Sequence, residues 1–206
     1  MGTRRYDPEA AREDILTAAE RLFAARGYGD VSTAAIAREA GVSQSQIHYH
    51  FDTKRKLWEA VFQRRFAEYF AVQSQLLERT DLEGTDRMEN SIRAYFRFFQ
   101  EHPGFIKLLV RAQLEEQDEH EPMSASLLGK GAEVIADAQR DGVIRDDVPA
   151  PFVLFGFLSL VSSWFQMRQA HLPDLGFGDP AESYDEAYLE FILKVFLQGI
   201  APRQEG

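Results

Sequence analysis

Side chains that can pair with the edges of DNA bases are concentrated between residues 44 and 50. This segment carries two amides, one hydroxyl, two imidazoles and one phenol. On a helix, at about 100° per residue, Ser45 and Tyr49 lie on one face, with Gln46 and His48 flanking it. Amide, hydroxyl and imidazole groups are the donors and acceptors that read bases in the major groove. The chemistry indicated by this segment is therefore recognition of duplex DNA.

The sequence does not carry a pattern typical of catalysis or metal binding. On a helix, His48 and His50 point about 200° apart and cannot share one ion. The chain contains no cysteine, and it lacks the motifs G-x-S-x-G, G-x-x-x-x-G-K, G-x-G-x-x-G and H-E-x-x-H. We therefore expect no metal, no cofactor and no enzymatic activity.

The elements that must position the DNA-reading segment are two short helices. Ser32 is a good N-cap for the first helix, and Gly41 supplies the left-handed backbone conformation that a tight turn between helices needs. Ser43 and Gln46 form an S-x-x-Q capping box at the start of the second helix, whose residue Ile47 faces inward. This arrangement predicts a helix-turn-helix.

The charge distribution separates the beginning of the chain from the remainder. The formal net charge of the 206 residues is −10, which alone argues against binding to nucleic acid. Residues 1–56, however, hold nine basic and eight acidic side chains, whereas residues 57–206 hold fourteen and twenty-five. The sequence thus indicates a DNA-binding end joined to an acidic body.

Helical periodicity extends along the whole chain, and no alternating strand pattern or internal repeat occurs. The expected fold is all-α with about nine helices: an N-terminal three-helix head with a helix-turn-helix, followed by a C-terminal helical body. Two short helices are predicted within residues 32–51, the first ending at Gly41 and the second opening at Ser43. The other predicted helices cover about residues 9–26, 53–77, 86–101, 103–119, 122–141, 149–170 and 181–200.

Residues 148–167 contain no charged side chain, a length that is sufficient for a membrane span. Prolines, serines and a glycine dilute the segment, and its flanks show no basic bias that would orient a span. We therefore interpret it as a helix buried on most sides. This helix, residues 149–170, and the last helix, residues 181–200, are predicted to form a four-helix seam in a homodimer.

Three linked blocks of sequence are similar to the DNA-binding domain of the tetracycline-repressor-like (TetR) family. They are residues 22–28 at the end of the first helix, residues 36–43, and residues 48–57, which begin with His48-Tyr49-His50-Phe51. Their combined spacing is specific, and the resemblance covers residues 9–69. The remainder resembles the family only in length and helical character. The resemblance implies a DNA-binding domain at residues 9–69 and a ligand-binding and dimerisation domain at residues 70–206.

The resemblance implies contacts to DNA at the start of the second helix, along the third helix, and from Lys54 to a phosphate. Of the two glutamines, Gln44 is the favoured base reader, because Gln46 is expected to fold back onto the Ser43 backbone. The predicted DNA-binding residues are Ser32, Thr33, Gln44, Ser45, Gln46, His48, Tyr49, His50 and Lys54.

Phenylalanine is frequent in the body, where apolar cores and apolar ligand cavities share the same composition. Both interpretations stay open for these residues, and a few polar residues within apolar stretches are candidates for orienting a ligand. The predicted ligand-binding residues are Phe62, Phe66, Phe96, Phe99, His102, Phe105, Arg111, Ser162, Phe165 and Gln166.

The resemblance implies a ligand-responsive transcriptional regulator, a repressor that binds a palindromic operator as a homodimer. A small apolar or aromatic effector would release it. The absence of a signal peptide and of cysteine predicts the cytoplasm. The alternatives are a ligand-independent architectural DNA-binding protein and an enzyme with a helical body, for which the sequence offers no catalytic residues.

Overall fold

The computed structural model describes residues 7–79, 81–82, 84–114 and 122–201. These residues form nine α-helices and two short 3-10 helices, without a β-strand. The all-α prediction is confirmed. The helices are α1 (Pro8–Arg26), α2 (Thr33–Ala40), α3 (Gln44–Phe51), α4 (Lys54–Leu77), α5 (Gly84–Glu101), α6 (Pro103–Leu114), α7 (Pro122–Arg140), α8 (Ala150–His171) and α9 (Asp185–Ile200).

Most of the predicted helix bounds agree with the structure to within two residues, and two differ more. The predicted helix 103–119 ends at residue 114 in the structure, and the residues after it lie outside the described part of the chain. The last helix begins four residues later than predicted, because residues 181–184 form a 3-10 helix before α9. Such tight turns are common at the ends of α-helices.

The described residues fall into two compact units, and each unit is formed by two separate stretches of the chain. The first unit contains residues 7–67 and 104–114, and the second contains residues 68–103 and 122–201. In the first unit, the apolar face of α1 is buried, as the periodicity predicted. The fully buried side chains of the first unit include Ile15, Leu16 and Phe23 on α1, and Leu57 and Trp58 on α4.

A buried carboxylate joins α1 to α4 within the first unit. Glu20, 8% exposed, accepts hydrogen bonds from Arg64 Nη2 at 2.6 Å and from Arg65 Nε at 3.0 Å. A carboxylate in this position must be paired, because an isolated buried charge is costly. The two arginines are consecutive on α4 and reach the same group, so the pair of helices is held by charge as well as by packing.

Helix α6 belongs to the first unit although it follows α5 in sequence. The ring of Phe105 lies 5.7 Å from that of Phe62 and 5.6 Å from that of Phe66, measured between centroids. Arg111 donates hydrogen bonds to the backbone carbonyl oxygens of Ala24 and Ala25, each at 3.1 Å. The last carbonyls of α1, which have no partner within their own helix, are thereby satisfied.

A polar junction centred on Asp185 links α5, α8 and α9 inside the second unit. Its carboxylate is ion-paired with Arg168, and it accepts hydrogen bonds from Trp164 Nε1 at 2.8 Å and from Gln100 Nε2 at 3.4 Å. Arg168 and Asp185 are only 5% and 4% exposed. Burial of both charges is tolerated because they face one another.

One helix in the described part of the chain, Ala150–His171, is long and apolar enough to cross a membrane when judged by length and composition alone. Only 28% of its apolar window of 18 residues is buried inside the structure. The large rings of Phe152 and Phe155 are 69% and 70% exposed. The prediction that this helix is buried on most sides is therefore not met by the single chain.

Candidate nucleic-acid interface

The turn between α2 and α3 is formed by local signals in the sequence. The Ser32 hydroxyl accepts a hydrogen bond from the Ala35 amide at 3.1 Å and so caps α2. Gly41 ends the helix with φ +69°, in the left-handed region where a Cβ would be unfavourable. The predicted cap and turn are confirmed, and they fix the direction in which the chain enters α3.

Helix α3 begins with the predicted capping box. The Ser43 hydroxyl accepts a hydrogen bond from the Gln46 amide at 3.3 Å, and Gln46 Oε1 accepts the backbone N–H of Ser43 at 2.8 Å. The Ser43 hydroxyl is also 3.1 Å from Gln46 Oε1. The oxygen of the Gln46 side chain is therefore occupied, and only its N–H groups are available to a base.

A hydrogen bond connects the first residues of the two helices. Nε2 of Gln44, at the start of α3, donates to the hydroxyl oxygen of Thr33, at the start of α2, over 3.0 Å. Gln44 is exposed, whereas Thr33 is half-buried. This contact holds the side-chain amide of Gln44 at the side of α3 that adjoins α2.

The faces of α3 are divided as helical phase predicted. Ile47 and Phe51 are 1% and 5% exposed and fix the helix to the unit. Tyr49 is 77% exposed, and Ser45 is exposed one turn earlier on the same face. The Tyr49 ring lies 5.0 Å from the ring of the neighbouring His50. The outward face therefore presents a phenol and a hydroxyl to solvent.

The end of α3 fixes the hydrogen-bonding state of His48. Its Nδ1 is 3.0 Å from the backbone carbonyl oxygen of Asp52, which can only accept, so Nδ1 carries the proton. In the neutral ring, Nε2 is then an acceptor. The hydrogen bond from Lys56, at 2.7 Å, lowers the pKa of the Asp52 carboxyl, so this side chain is an ionised partner of Lys56.

A shallow depression of about 590 Å³ lies where the starts of α2 and α4 meet. Lys54 Nζ is 4.2 Å from the centre of the Tyr28 ring and 3.5 Å from the carbonyl oxygen of Gly29. Two helix N-termini and one ammonium group make the site suitable for an anion, although two carboxylates also line it. The lining residues are Gly29, Asp30, Val31, Ser32, Thr33, His48, Asp52, Thr53 and Lys54.

The residues predicted to contact DNA all lie in the first unit. Four of them, Ser32, Thr33, His48 and Lys54, line the depression. Gln44 reaches it through Thr33, and the other four are on α3. The direct contact between Thr33 and Gln44 was not predicted, because 11 residues separate them and no local motif connects them.

The residues predicted to bind a ligand are divided between the two units. The first unit contains Phe62, Phe66, Phe105 and Arg111, and the second unit contains Phe96, Phe99, His102, Ser162, Phe165 and Gln166. Among the latter, the ring of Phe165 packs 4.8 Å from that of Phe96 and 5.6 Å from that of Phe99. Both partners are at most 1% exposed, which is the packing of a core.

The polar members of this set also have partners or lie in solvent. The Ser162 hydroxyl donates to the carbonyl oxygen of Leu158 at 2.7 Å, within its own helix. Gln166 is exposed. His102 Nε2 is 3.3 Å from Glu68 Oε2, within the second unit. Arg111 is engaged by the carbonyl oxygens at the end of α1.

A groove of about 590 Å³ runs between α4 and α5 in the second unit, and His102 is the predicted ligand residue that lines it. Its apolar floor is formed by Tyr69, Val72, Leu76, Ala94 and Phe98, and its rim by Glu68, Asn90, Arg93, Arg97, Glu101 and His102. The floor residues could not be recognised from the sequence, since each resembles an ordinary core position.

Two neighbouring phenols lie at this groove, that of Tyr69 in its floor and that of Tyr95 against the Tyr69 ring. Burial raises the pKa of the Tyr69 phenol well above its ordinary value, and burial also raises the pKa of the Tyr95 phenol. The two rings lie 5.3 Å apart. Both groups are therefore neutral hydrogen-bonding groups at physiological pH. Among the described residues, there is no group of three His, Cys, Asp or Glu side chains that could hold a metal ion.

Comparison with protein families gives matches over both parts of the chain. Residues 15–61 match the model described as "Bacterial regulatory proteins, tetR family". Residues 90–183 match the model described as "Tetracyclin repressor-like, C-terminal domain". The first match contains α2, α3 and the start of α4, which is where the capped turn and the depression lie.

Curated relatives include a transcriptional activator, a transcriptional repressor and a protein with another role. The chain is 30% identical over 142 residues to the transcriptional activator FasR of Mycolicibacterium smegmatis, covering 69% of this chain and 63% of FasR. It is 28% identical over 162 residues to the repressor SCO4008 of Streptomyces coelicolor, covering 77% and 79%. It is 30% identical over 138 residues to the nucleoid occlusion factor SlmA of Marinobacter nauticus, covering 65% and 69%.

Solved structures with the same fold include AibR, described in complex with isovaleryl coenzyme A and operator DNA. The TM-score is 0.69 at 20% sequence identity, and the superposition covers 90% of this chain and 97% of AibR. At this identity, the likeness establishes the fold.

Proposed function

Since the chain belongs to the TetR family of bacterial regulatory proteins, we propose that it is a transcriptional repressor that binds a near-palindromic operator as a homodimer and leaves it when a small molecule binds. The observation that carries the proposal is the capped helix α3, which exposes Tyr49 on its outward face beside the depression containing Lys54. In this proposal residues 9–69 bind DNA, and residues 70–206 bind the effector and dimerise, except for α6, which packs in the first unit.

In the proposed interface, different residues contact the phosphates and the bases. Lys54 and the N-terminus of α2 offer a positive site to a phosphate, which fixes the register of the protein on DNA. Helix α3 then lies in the major groove, where Gln44, Tyr49 and His48 reach base edges. Ser45, Gln46 and His50 belong to the same helix and complete the proposed contacts.

Exposed apolar side chains on α8 and α9 support the homodimer. Phe152 and Phe155 on α8, together with Phe191 and Val195 on α9, are each between 51% and 70% exposed. Such a group of large side chains on adjoining helices is unfavourable in water and is typical of an interface. A second copy of the same two helices would cover it by forming a four-helix seam.

The α4–α5 groove supports an effector site in the second unit. Its volume of about 590 Å³ is in the range of small-molecule sites, and its floor is apolar with a polar rim. AibR is described with both a small molecule and operator DNA, and SCO4008 is named a repressor. The effector would favour a spacing of the two heads that no longer matches successive major grooves.

The test is selection of binding sites from a random DNA library, followed by affinity measurements. We expect a consensus of two related half-sites, about 10 base pairs or a multiple of that apart. A promoter assay then measures whether occupancy lowers transcription. Affinity that is the same for all sequences in the library would contradict the proposed function.

A second candidate function is architectural DNA binding without a small-molecule effector, since one relative, SlmA, is named a nucleoid occlusion factor and not a transcriptional regulator. The two candidates differ in their response to ligands. For the regulator, at least one compound of a broad apolar and aromatic library should raise the melting temperature and lower operator affinity together. Selective DNA binding with no such compound would favour the second candidate.

A further inference from the structure

The contact between Thr33 and Gln44 gives a specific role to a residue that does not itself reach a base. We propose that Thr33 positions the Gln44 amide for reading an adenine and couples this reading to a phosphate contact through its hydroxyl group. The inference rests on the proposed DNA-binding function. It makes Thr33 a determinant of sequence specificity rather than of affinity alone.

Neither residue is required to cap its own helix. Ser32 caps α2 through its hydroxyl, and Ser43 with Gln46 forms the capping box of α3. Thr33 and Gln44 are the first residues of these two helices, and their side chains meet at 3.0 Å. Because other residues cap both helices, the hydrogen bond between Thr33 and Gln44 is not needed for capping, and it can serve to orient the Gln44 side chain.

The hydrogen-bonding capacity of Gln44 fits a bidentate contact to adenine. Its amide has two N–H groups and one carbonyl oxygen, and Thr33 uses one N–H. No other hydrogen bond of this side chain occurs within the described residues. One N–H and the oxygen are left, which are the groups that N7 and the N6 amino group of adenine require.

Gln46 provides a contrast on the same helix. Its oxygen accepts the backbone N–H of Ser43 at 2.8 Å, so it offers only donors to a base. Bidentate pairing with adenine requires an acceptor as well. Of the two glutamines on α3, only Gln44 therefore retains the full set of groups.

Thr33 has a hydroxyl proton left when it accepts from Gln44. Thr33 and Lys54 line the same depression, so a phosphate held there is within reach of both residues. Donation of the Thr33 proton to a phosphate oxygen would polarise the hydroxyl and strengthen its acceptance from Gln44. Phosphate binding and orientation of the base-reading amide then depend on the same group.

The experiment compares discrimination, defined as the ratio of affinities for the selected operator and for an operator with one changed base pair. The base pair is the one at which Gln44→Ala loses preference. Discrimination by the wild type at this pair should be roughly 5- to 150-fold. Thr33→Val and Thr33→Ala should lower it to the level of Gln44→Ala, and Thr33→Ser should retain it.

Two controls separate orientation from loss of affinity. Lys54→Ala removes an ammonium group but leaves the Thr33 hydroxyl and its hydrogen bond with Gln44 in place. It should weaken both operators and lower discrimination much less than Thr33→Val does. The double variant Thr33→Val with Gln44→Ala should discriminate no less than Gln44→Ala alone, because the two residues act as one unit. Circular dichroism checks that each variant is folded, and the two substitutions at Thr33 serve as replicates.

The outcomes distinguish this inference from the proposed function. If the wild type selects a consensus but Thr33→Val keeps full discrimination, Thr33 contacts phosphate only and the inference is wrong. It is equally wrong if Gln44→Ala returns the wild-type consensus. A wild type without any sequence preference contradicts the proposed function itself.

Discussion

Arg111 Nε donates a hydrogen bond to the backbone carbonyl oxygen of Ala24 over 3.1 Å, and so joins α6 to the end of α1. A cation is favourable at this position, because the C-terminus of a helix carries partial negative charge and unpaired carbonyls. The sequence suggested that Arg111 orients an effector, whereas this contact gives it a structural partner within the first unit.

Replacing Arg111 by alanine should lower the free energy of unfolding by about 1 to 2 kcal/mol, since charge-assisted hydrogen bonds to two carbonyls are lost. Urea denaturation measures the change. Arg97→Ala is a matched control for the stability measurement, because Arg97 is exposed and makes no hydrogen bond or ion pair with the described residues. Unchanged stability together with a lost ligand response would instead support effector binding by Arg111.

Removing the ammonium group of Lys54 should weaken binding to all DNA sequences and lower the salt dependence. Lys54→Ala is expected to reduce the slope of log affinity against log salt concentration by about one, because one fewer counterion is released. Fluorescence anisotropy at four or more salt concentrations gives the slope. Parallel lines for variant and wild type would show that Lys54 does not contact a phosphate.

Introducing a charge into the proposed dimer seam should separate the subunits. Ser163 is exposed on α8, and glutamate there would lie near its own symmetry mate in the seam. We expect Ser163→Glu to cost several kcal/mol of association, with about 3 to 5 kcal/mol typical of an uncompensated buried charge. Sedimentation measures the dissociation constant.

Ser126→Glu on α7 is the control for this test, because it introduces the same charge at an exposed serine outside the seam. Its dimer should be as stable as that of the wild type. An intact Ser163→Glu dimer at low micromolar concentration would refute the placement of the seam.

Enlarging Phe99 should distinguish a core from a cavity in the second unit. Phe99 is 1% exposed and packs against Phe165 and Tyr95. Phe99→Trp should therefore overpack the core and cost about 1 to 3 kcal/mol of stability. Val72→Trp, at a groove residue that is 50% exposed, should leave the melting temperature unchanged and block the effector.

The opposite result would identify a pocket at Phe99. In that case Phe99→Trp would reduce the response to ligand without changing melting temperature or operator affinity. The two variants differ in burial and carry the same new side chain, so the size of tryptophan alone cannot explain a difference between them.

Local signals in the sequence predicted the helix-turn-helix in detail. Gly41 and the capping box of Ser43 with Gln46 each depend on residues within a few positions of one another. Their geometry therefore depends on local backbone chemistry and could be predicted without knowledge of tertiary contacts. The outward direction of Tyr49 followed from helical phase for the same reason.

Contacts between distant residues could not be predicted in this way. Glu20 resembles any exposed acidic residue of an amphipathic helix, yet Arg64 and Arg65 surround it from α4. Similarly, Asp185 gives no local indication that Arg168 pairs with it. Such pairs depend on how helices pack, and composition does not distinguish a phenylalanine in a core from one in a cavity.

The grouping of α6 with the first unit limits how this protein can be recombined with its relatives. A head cut from the chain after residue 69 would lose Phe105 from beside Phe62, and the end of α1 would lose Arg111. Apolar surface and unpaired carbonyl groups would then be exposed. A chimaera that joins this DNA-binding part to the effector-binding part of a relative must therefore include residues 104–114, or a helix matched to them.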